Sequence, residues 1–389
     1  MKKILSLLLV LAMALSLVAC GSSSAPAATE APKADAPAAD APAADAVEYK
    51  IAMVTDYGDS TDQSFNQTTY EACKAFAEAN GIDFTYYKPA GDADAERVAM
   101  IEKAVDEGYN VIVLPGFAFA AAIAEAAPMY PEVKFIALDV ELAAGTYNNV
   151  YSAIYQEELS GYMAGYAAVK LGYTKLGFLG GMAVPAVQRF GYGFVQGADA
   201  AAKELDITID MNYIYGGLFY GTADITAVMD TWYADGTEVV FACGGGIFTS
   251  AVVAAKKVEG AKVIGVDVDQ SGVIATYAGD ADTSLTITSA MKGLYPTTVD
   301  TLTDVIINGN WEKYAGKVET LGLVNGDDPT ANYVQIPMET TQWSDTFTQD
   351  DYKALVKGMF EGTITVSSDT SAMPAVTNTN LSEQGQIVG

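Results

Sequence analysis

The sequence predicts an α/β protein with two similar lobes, each built around a parallel β-sheet. Short apolar segments alternate with amphipathic helical segments along the chain, a pattern typical of βαβ units. These segments form two sets of about five strands, which suggests two lobes. The body after residue 47 has about 340 residues, more than a single hydrophobic core usually spans, and this length also favours two lobes.

The predicted elements follow one another in a regular order. The first set of strands is expected at 49–55, 83–87, 111–114, 134–138 and 151–154, and the second at 176–179, 207–214, 239–242, 262–266 and 285–288. A helix at 156–173 is expected to belong to the first lobe and to lead into the second, and Gly161 and Gly165 would let it pack closely on a neighbour. A strand at 333–336 and a helix at 350–362 come last.

Lobe boundaries can be placed from this order. We expect 48–158 plus about 280–318 to form the N-terminal lobe, because the strand-helix unit from about residue 283 has no place in the second set. The C-terminal lobe would contain 159–279 plus about 319–365, with a tail at 366–389. Several crossings between lobes would produce a hinged cleft.

The N-terminus predicts export. Residues 1–19 carry two lysines and then an uncharged run, too short for a membrane span and typical of a signal peptide. The segment ending in Cys20 is similar to the lipobox of bacterial lipoproteins, in which the cysteine is acylated and anchors the protein to the outer face of the cell membrane. Residues 20–47, rich in Ala, Pro and Asp, have too little apolar surface to fold and are expected to be a disordered linker.

Composition excludes several functional classes. The formal net charge is −28 and the chain has no histidine, which disfavours nucleic acid as a partner and rules out a histidine base or an imidazole metal ligand. We expect no metal and no cofactor. Besides Cys20, only Cys73 and Cys243 could form a disulfide, and nothing in their spacing argues for one.

The segment 50–67 is the first candidate binding loop. An apolar strand ends at Asp56, and a polar loop then leads to Ser64, Phe65 and Asn66. In parallel α/β sheets, ligands bind beyond the carboxyl ends of the strands. Asp56 would be an acceptor, Phe65 a flat apolar surface and Asn66 both donor and acceptor. The alternative is that Asp56 and Ser64 only cap turns and that Phe65 belongs to the core.

Other strand ends carry similar residues. They are Phe117 and Phe119, Asp139, Phe190, Phe219, Gly244 to Gly246, Asp267 and Asp269. Taken singly, an Asp after a strand usually caps a helix, and a Phe in a loop is usually core. The glycine triplet lacks the Lys-Ser/Thr of a P-loop. Lys292, expected at the start of the returning helix, would donate to a ring nitrogen or carbonyl oxygen, or would be a solvated helix lysine.

Together these residues predict a ligand with a flat ring and several donors. Ribose hydroxyls can donate to one carboxylate and ring N–H groups to another, while aromatic side chains stack on a base. A nucleoside has this chemistry. A hexose would satisfy the carboxylates equally well, so the pattern leaves both open.

The motifs, in their order, resemble one family. The lipobox, VTDYG with DQSFNQ, FIALDV, GGMAVPAVQRF, the glycine triplet, VIGVDVDQ and TSAMK are similar to the basic membrane protein family of lipoproteins, whose members include purine nucleoside receptors. The resemblance covers essentially the whole body. It implies a type I periplasmic-binding-protein fold with two Rossmann-like lobes joined by three crossovers.

The resemblance also implies site residues. The positions matching the family's ligand contacts are Asp56, Phe65, Asn66, Asp139, Phe219, Gly244, Gly245, Asp269 and Lys292, with Ser64, Phe190 and Asp267 as further candidates. Phe190 competes with Phe219 for the second stacking position, and Asp267 with Asp269 for the acidic one; spacing favours Asp269.

The implied function is non-catalytic. We expect a monomeric, lipid-anchored receptor that captures a purine nucleoside such as guanosine, inosine or adenosine and delivers it to an ABC permease and its ATPase. The alternatives are a sugar receptor of the same fold, or a surface adhesin or sensor. An enzyme is the least supported hypothesis. Without histidine the chain cannot form a Ser-His-Asp set, and a carboxylate pair such as Asp267 and Asp269 is weak evidence for hydrolysis.

Overall fold

A computed structural model of the protein describes residues 48–279 and 283–388. The predicted signal peptide, Cys20 and the linker at 20–47 lie outside these residues. Within the described ranges, every helix is too short or too polar to cross a membrane.

The described chain contains thirteen β-strands. They are β1 Ile51–Val54, β2 Phe84–Tyr87, β3 Val111–Pro115, β4 Lys134–Leu138, β5 Val150–Tyr155, β6 Lys175–Gly180, β7 Ile209–Tyr215, β8 Val239–Cys243, β9 Lys262–Asp267, β10 Thr286–Lys292, β11 Val318–Leu321, β12 Val334–Gln335 and β13 Thr379–Gln386.

Ten α-helices lie between these strands in the same part of the chain. They are α1 Phe65–Asn80, α2 Asp94–Asp106, α3 Phe119–Met129, α4 Glu157–Lys170, α5 Pro185–Glu204, α6 Ala223–Ala234, α7 Phe248–Ala255, α8 Ser271–Ala278, α9 Leu294–Leu302 and α10 Gln349–Phe360. A π-helical turn at Thr303–Ile307 extends α9, and short 3-10 turns occupy Thr283–Leu285, Trp311–Lys313 and Pro329–Ala331.

The first lobe is a six-stranded parallel sheet in the order β11-β5-β4-β3-β1-β2. Helices α2 and α3 cover one face of this sheet, and α1 and α9 cover the other. Strand β3 is buried along its whole length, as its apolar sequence VIVLP requires in a sheet covered on both faces.

The second lobe is a seven-stranded sheet in the order β12-β10-β9-β8-β6-β7-β13. All neighbours are parallel except β12, which runs antiparallel to β10. Helices α4, α5 and α10 cover one face, and α6, α7 and α8 cover the other. The carboxyl ends of the parallel strands therefore form one edge of each lobe, where ligands of such sheets bind.

Glycines bring helices α4 and α5 into very close contact. A Cβ atom on Gly161 would lie 2.1 Å from the Phe190 carbonyl oxygen, and one on Gly193 would lie 2.1 Å from the carbonyl oxygen of Glu158. Gly165 is equally close to the backbone of α5. The expected close packing of this helix is thus present, and its partner α5 lies in the second lobe, so α4 belongs to the second lobe and not to the first. Packing on α5 decides this, because α4 presents apolar residues to that lobe's core.

The chain crosses between the lobes three times. It crosses at Gln156, after β5; at Gly293, after β10; and between β11 and β12. Backbone bonds join these segments, since Gln156 donates to the Leu321 carbonyl (3.0 Å) and Gly293 to that of Tyr333 (2.7 Å). The predicted two-lobed α/β fold with a three-crossover hinge is confirmed.

Two details of the predicted boundaries differ from the structure. Strand β10 pairs with β9 in the second sheet, so the return to the first lobe begins at Gly293 and not near residue 280. The helix that follows, α9, does pack on α1 in the first lobe. The segment taken as a tail contains β13, which pairs in parallel with β7 at the edge of the second sheet. Its polar sequence TNLSEQGQ hides this strand, because an edge strand with exposed side chains lacks apolar alternation.

Candidate ligand-binding cleft

A cavity of about 700 Å³ lies between the lobes, at the carboxyl ends of both sheets; we call it the cleft cavity. Ten of the twelve site residues that the family resemblance implied line it. They are Asp56, Phe65, Asn66, Asp139, Phe190, Phe219, Gly244, Gly245, Asp267 and Lys292. Ser64 and Asp269 are not among its lining residues.

Asp62 organises the loop between β1 and α1. Its carboxylate accepts hydrogen bonds from the backbone N–H groups of Ser64, Asn66 and Gln67 at 2.9–3.0 Å, so it satisfies donors at the start of α1. The Asn66 side-chain amide donates to Asp56 (3.2 Å) and to Asp62 (3.0 Å). The Oδ1 atom of Asn66 is buried and has no hydrogen-bond partner in the described chain. The loop therefore presents an unused acceptor beside the cleft cavity.

Asp56 ends the first strand, close to the backbone of a neighbouring loop. A Cβ atom on Gly116, whose φ is +128°, would lie 1.9 Å from Oδ2 of Asp56, so only glycine fits there. Burial raises the pKa of Asp56 to about 6, although hydrogen bonds from Gly58 and Asn66 oppose this shift. A ligand donor would favour the ionised form of this carboxyl.

Asp139 follows β4 and Asp267 ends β9, and both adopt the left-handed region, with φ values of 60° and 67°. This turn is rare for residues other than glycine, and here it follows buried strands in both lobes. Burial raises the pKa of Asp139 to about 7 against the attraction of Lys292. Burial likewise raises the pKa of Asp267.

Lys292 is buried and lines the cleft cavity. It is the last residue of β10, whereas the sequence predicted that it begins a helix. Its Nζ atom contacts the Asp139 carboxylate and lies 3.4 Å from Glu157 and 3.7 Å from Asp267. Burial alone would lower the pKa of Lys292, but these carboxylates outweigh it and raise the pKa. The ammonium group is thus held charged by acids from both lobes.

Aromatic rings surround this ammonium group. Its Nζ atom lies 4.7 Å from the ring centre of Phe65 and 5.5 Å from those of Tyr155 and Phe190. Cations are attracted to aromatic faces at such distances. Phe65 and Phe190 therefore have a role at Lys292 in addition to lining the cavity.

Two charged residues near the site were not found from the sequence. Glu157, the first residue of α4, is completely buried between Lys292 and Arg189, whose Nε donates to it at 2.6 Å. Arg189 also donates to Glu141 in the first lobe at 2.7 Å. The only signal for Glu157 was its place after a strand end, within a polar QEE segment that resembles an ordinary helix start.

Tyr57 was also missed. Its ring stacks on Phe117, with centres 5.6 Å apart and planes 14° apart, and lies 6.3 Å from the ring of Phe219 in the other lobe. The guanidinium group of Arg97, in the same lobe as Tyr57, lies 4.8 Å from the centre of the Tyr57 ring. Tyr57 thus links aromatic residues of both lobes at one side of the cavity.

Direct hydrogen bonds join the lobes beside the cavity. Ser64 donates to the Asp267 carboxylate at 2.6 Å, and the side-chain amide of Gln270 donates to the Gln63 carbonyl at 3.0 Å. Both bonds connect the loop before α1 with the segment after β9. Ser64 therefore acts between the lobes and not as a cavity-lining group.

Asp269 has a different position from the one that its spacing suggested. Its Oδ1 accepts from the Ser271 N–H at 3.0 Å, and its Oδ2 accepts from the Thr340 hydroxyl at 2.7 Å. It caps the start of α8, while the left-handed turn at Asp267 directs the earlier aspartate to Lys292. Spacing favoured Asp269 as the acidic ligand contact, but of the two aspartates only Asp267 lines the cleft cavity.

Gly244 and Gly245 adopt positive φ values of 146° and 51° beside Phe219. Cys73 and Cys243 are free and buried. The described residues contain no cluster of acids and cysteines able to hold a metal ion.

Comparison with known sequences identifies the family. A profile of the Bmp family, described as ABC transporter substrate-binding protein PnrA-like, matches residues 49–341. The chain belongs to this PnrA-like family of substrate-binding proteins. Small-molecule binding and partnership with an ABC permease are the family's general properties.

Two individual proteins are similar to this PnrA-like chain over most of its length. It is 30% identical over 292 residues to the ABC transporter nucleoside-binding protein BmpA of Lactococcus lactis subsp. cremoris, a match that covers 72% of this chain and 80% of that protein. It is 28% identical to the CD4+ T-cell-stimulating antigen of Listeria monocytogenes, over 74% and 79% of the two chains.

Solved structures show the same fold. An ABC transporter solute-binding protein from Aeropyrum pernix K1 superposes with a TM-score of 0.64 and 22% identity, over 82% of this chain and 87% of that one. The type I fold expected from the sequence is thereby confirmed.

Proposed function

We propose that this PnrA-like protein is the nucleoside receptor of an ABC importer, that its ligands are purine nucleosides such as guanosine, inosine and adenosine, and that it has no catalytic activity. The observation that carries this proposal is the convergence of aromatic rings and buried carboxylates from both lobes on one cavity of about 700 Å³. A cavity of that size accommodates a small ligand with most of its surface buried.

The two kinds of side chain suit the two parts of a nucleoside. Phe65 and Phe219 offer flat surfaces to a base, and each base–aromatic stack contributes about 1–3 kcal/mol. Ribose hydroxyls and ring N–H groups are donors, and the carboxylates of Asp56, Asp139 and Asp267 are acceptors. Lys292 and the Gly244–Gly245 backbone supply donors to ring nitrogen or oxygen atoms.

The charges of the cavity favour a ligand without phosphate. Two lysines line it, and both are engaged by acids: Lys292 by Asp139, Glu157 and Asp267, and Lys88 by Asp59 at 2.6 Å. A phosphate would meet carboxylates and no free cation among these lining residues, so its desolvation would not be compensated. The name of the Lactococcus relative, a nucleoside-binding protein, supports the same ligand class.

The proposal extends to location and partners. Acylation at Cys20, after removal of residues 1–19, would tether a monomeric receptor to the outer face of the cell membrane. A ligand that contacts both lobes would favour their approach and present one surface to the permease.

The test is to identify the ligand. The purified protein is denatured, released small molecules are identified by mass spectrometry, and binding of guanosine, inosine and adenosine is measured by calorimetry. Release of a sugar, together with no heat from any of the three nucleosides, would overturn the nucleoside assignment.

A Phe65→Ala variant distinguishes a nucleoside from a sugar. Loss of the stack should weaken nucleoside binding about 5- to 150-fold, while a site dominated by carboxylates would retain most of its sugar affinity. Phe360→Ala is the matched control, because Phe360 is half-exposed and lies outside the cavity. A protein that binds neither class of ligand would instead favour the adhesin or sensor alternative.

A further inference from the structure

The last strand of the second sheet continues past its regular end. Strand β13 pairs in parallel with β7, from Thr379 opposite Ile209 to Gln386 opposite Tyr215. Beyond it, the Ile387 N–H donates to the Tyr215 carbonyl (2.9 Å) and the Val388 N–H to the Gly216 carbonyl (3.2 Å). The family match ends at residue 341, so this segment lies outside the matched region.

Gly217 packs directly against this continuation. Its φ is +85°, and a Cβ atom there would lie 1.9 Å from the Val388 carbonyl oxygen. The Gln386 side-chain amide donates to the same oxygen at 2.6 Å. The contact is therefore made by backbone on both sides and leaves no room for a side chain.

The opposite side of the same loop is held by the end of β6. The Gly216 N–H donates to the Gly180 carbonyl at 2.7 Å, and the Gly217 N–H donates to the Gly181 carbonyl at 3.0 Å. Residues 215–217 are thus fixed between β6 on one side and residues 386–388 on the other.

Phe219 follows two residues later and lines the cleft cavity. Its ring contacts the small surfaces of Gly181 and Gly244, where Cβ atoms would lie 2.5 Å and 2.9 Å from its Cδ1. Its carbonyl accepts from Gly246 at 2.8 Å. Glycines offer no interlocking side chains, so the position of this ring depends on the backbone that precedes it.

We propose that residues 386–388 are a positioning element for Phe219: they hold the 215–217 backbone against β6 and thereby place the Phe219 ring for stacking on the ligand. This inference rests on the proposed function for the ligand that Phe219 contacts. It assigns to the region beyond the family match a role in affinity and not only in covering a sheet edge.

The experiment is a double-mutant cycle. A variant that ends at Gly385 is compared with the unaltered protein, with Phe219→Ala, and with the combination, using guanosine, inosine and adenosine as probes. We expect the truncation to weaken binding about tenfold in the unaltered background and to have no further effect in Phe219→Ala, because the two act on one interaction. Asn380→Ala is the control, since its side chain donates only to Asp210 at the start of the strand.

Hydrogen exchange of residues 215–219, measured by mass spectrometry, supplies a readout that needs no ligand. Truncation should reduce their protection, whereas Asn380→Ala should not. Equal affinity losses in both backgrounds, or unchanged binding with unchanged protection, would overturn the inference. If the unaltered protein binds no nucleoside, the proposed function fails, and exchange then decides this inference: lowered protection of 215–219 supports it and unchanged protection overturns it.

Discussion

The Ser64 hydroxyl donates a 2.6 Å hydrogen bond to the Asp267 carboxylate and thereby joins the two lobes across the cleft. Both residues are buried, and they stand 203 positions apart in the chain. Asp267 also lies 3.7 Å from the Lys292 ammonium group. The bond therefore couples the approach of the lobes to the charged centre of the cavity.

Ser64→Ala should weaken binding of the nucleoside probes about tenfold. A hydrogen bond to a charged group contributes about 1.5–3 kcal/mol, and part of this favours the arrangement in which both lobes contact the ligand. Calorimetry provides the measurement. Ser60→Ala is the control, since its hydroxyl only approaches the adjacent Asp59 at 3.5 Å; equal losses in both variants would contradict the role of the Ser64 bond.

Glu157→Gln should destabilise the protein by about 3 kcal/mol or more. Glu157 is one of the carboxylates that neutralise the positive charges of Lys292 and Arg189, and its removal leaves these charges less well paired in a site shielded from water. The measurement is the free energy of unfolding in urea at pH 8.

Glu158→Gln is the matched control for that variant. Glu158 is also buried, but its Oε2 has no hydrogen-bond partner in the described chain, and burial raises its pKa to about 7. Since its charge is unfavourable in the folded state, the variant should gain stability relative to the unaltered protein as pH rises through 7. If Glu158→Gln and Glu157→Gln lose equal unfolding free energy at pH 8, the different roles assigned to the two glutamates would be contradicted.

Gly161→Ala should destabilise the second lobe by about 2–4 kcal/mol. The new methyl group would lie 2.1 Å from the Phe190 carbonyl oxygen, so α4 and α5 would have to separate. Because Phe190 lines the cleft cavity, ligand binding should weaken as well. Gly272→Ala in α8 is the control: nothing lies within 4 Å of that position, and it should be neutral or stabilising by up to about 1 kcal/mol. Thermal and urea unfolding measure both; similar effects would contradict the close-packing argument.

Asp56 should make the protein less stable as pH rises from about 4 to 7. Burial raises its pKa to about 6, so the folded protein holds this proton more tightly than the unfolded chain does, and the stability from protonation is lost through that range. Asp56→Asn should remove this slope and gain about 1–2 kcal/mol at pH 7, less than the full shift implies because the side chain is only partly buried.

The opposite sign is expected for Asp59, whose pKa is lowered by its hydrogen bond with Lys88. Asp59→Asn should be less stable than the unaltered protein above pH 4, and this difference should shrink as pH falls below about 4, where the unaltered carboxyl becomes protonated. Urea unfolding from about pH 3 to 7 measures both variants, and parallel pH profiles for the two would contradict the assignment.

The elements that follow from local pattern were predictable. Strands such as β3 and β4 could be placed from the sequence because strands buried on both faces are continuous apolar runs. Amphipathic helices such as α2 could be placed because burial of one face imposes a period of 3.6 residues. The strand ends also marked Asp56, Asp139 and Phe219, since parallel sheets bring such positions to one edge. Where a signal was absent, as in polar β13, the element was missed.

The tertiary structure alone decided which of these residues meet. Asp267 rather than Asp269 reaches Lys292 because of a left-handed turn that the residue type does not encode, and β10 joins the second sheet because it pairs with β9, a partner that the local pattern of β10 does not specify. Glu157, Arg189 and the Ser64–Asp267 bond arise from contacts between segments up to 203 residues apart. Sequence periodicity records which side of an element is buried, whereas the charged centre of this cleft depends on which elements come together.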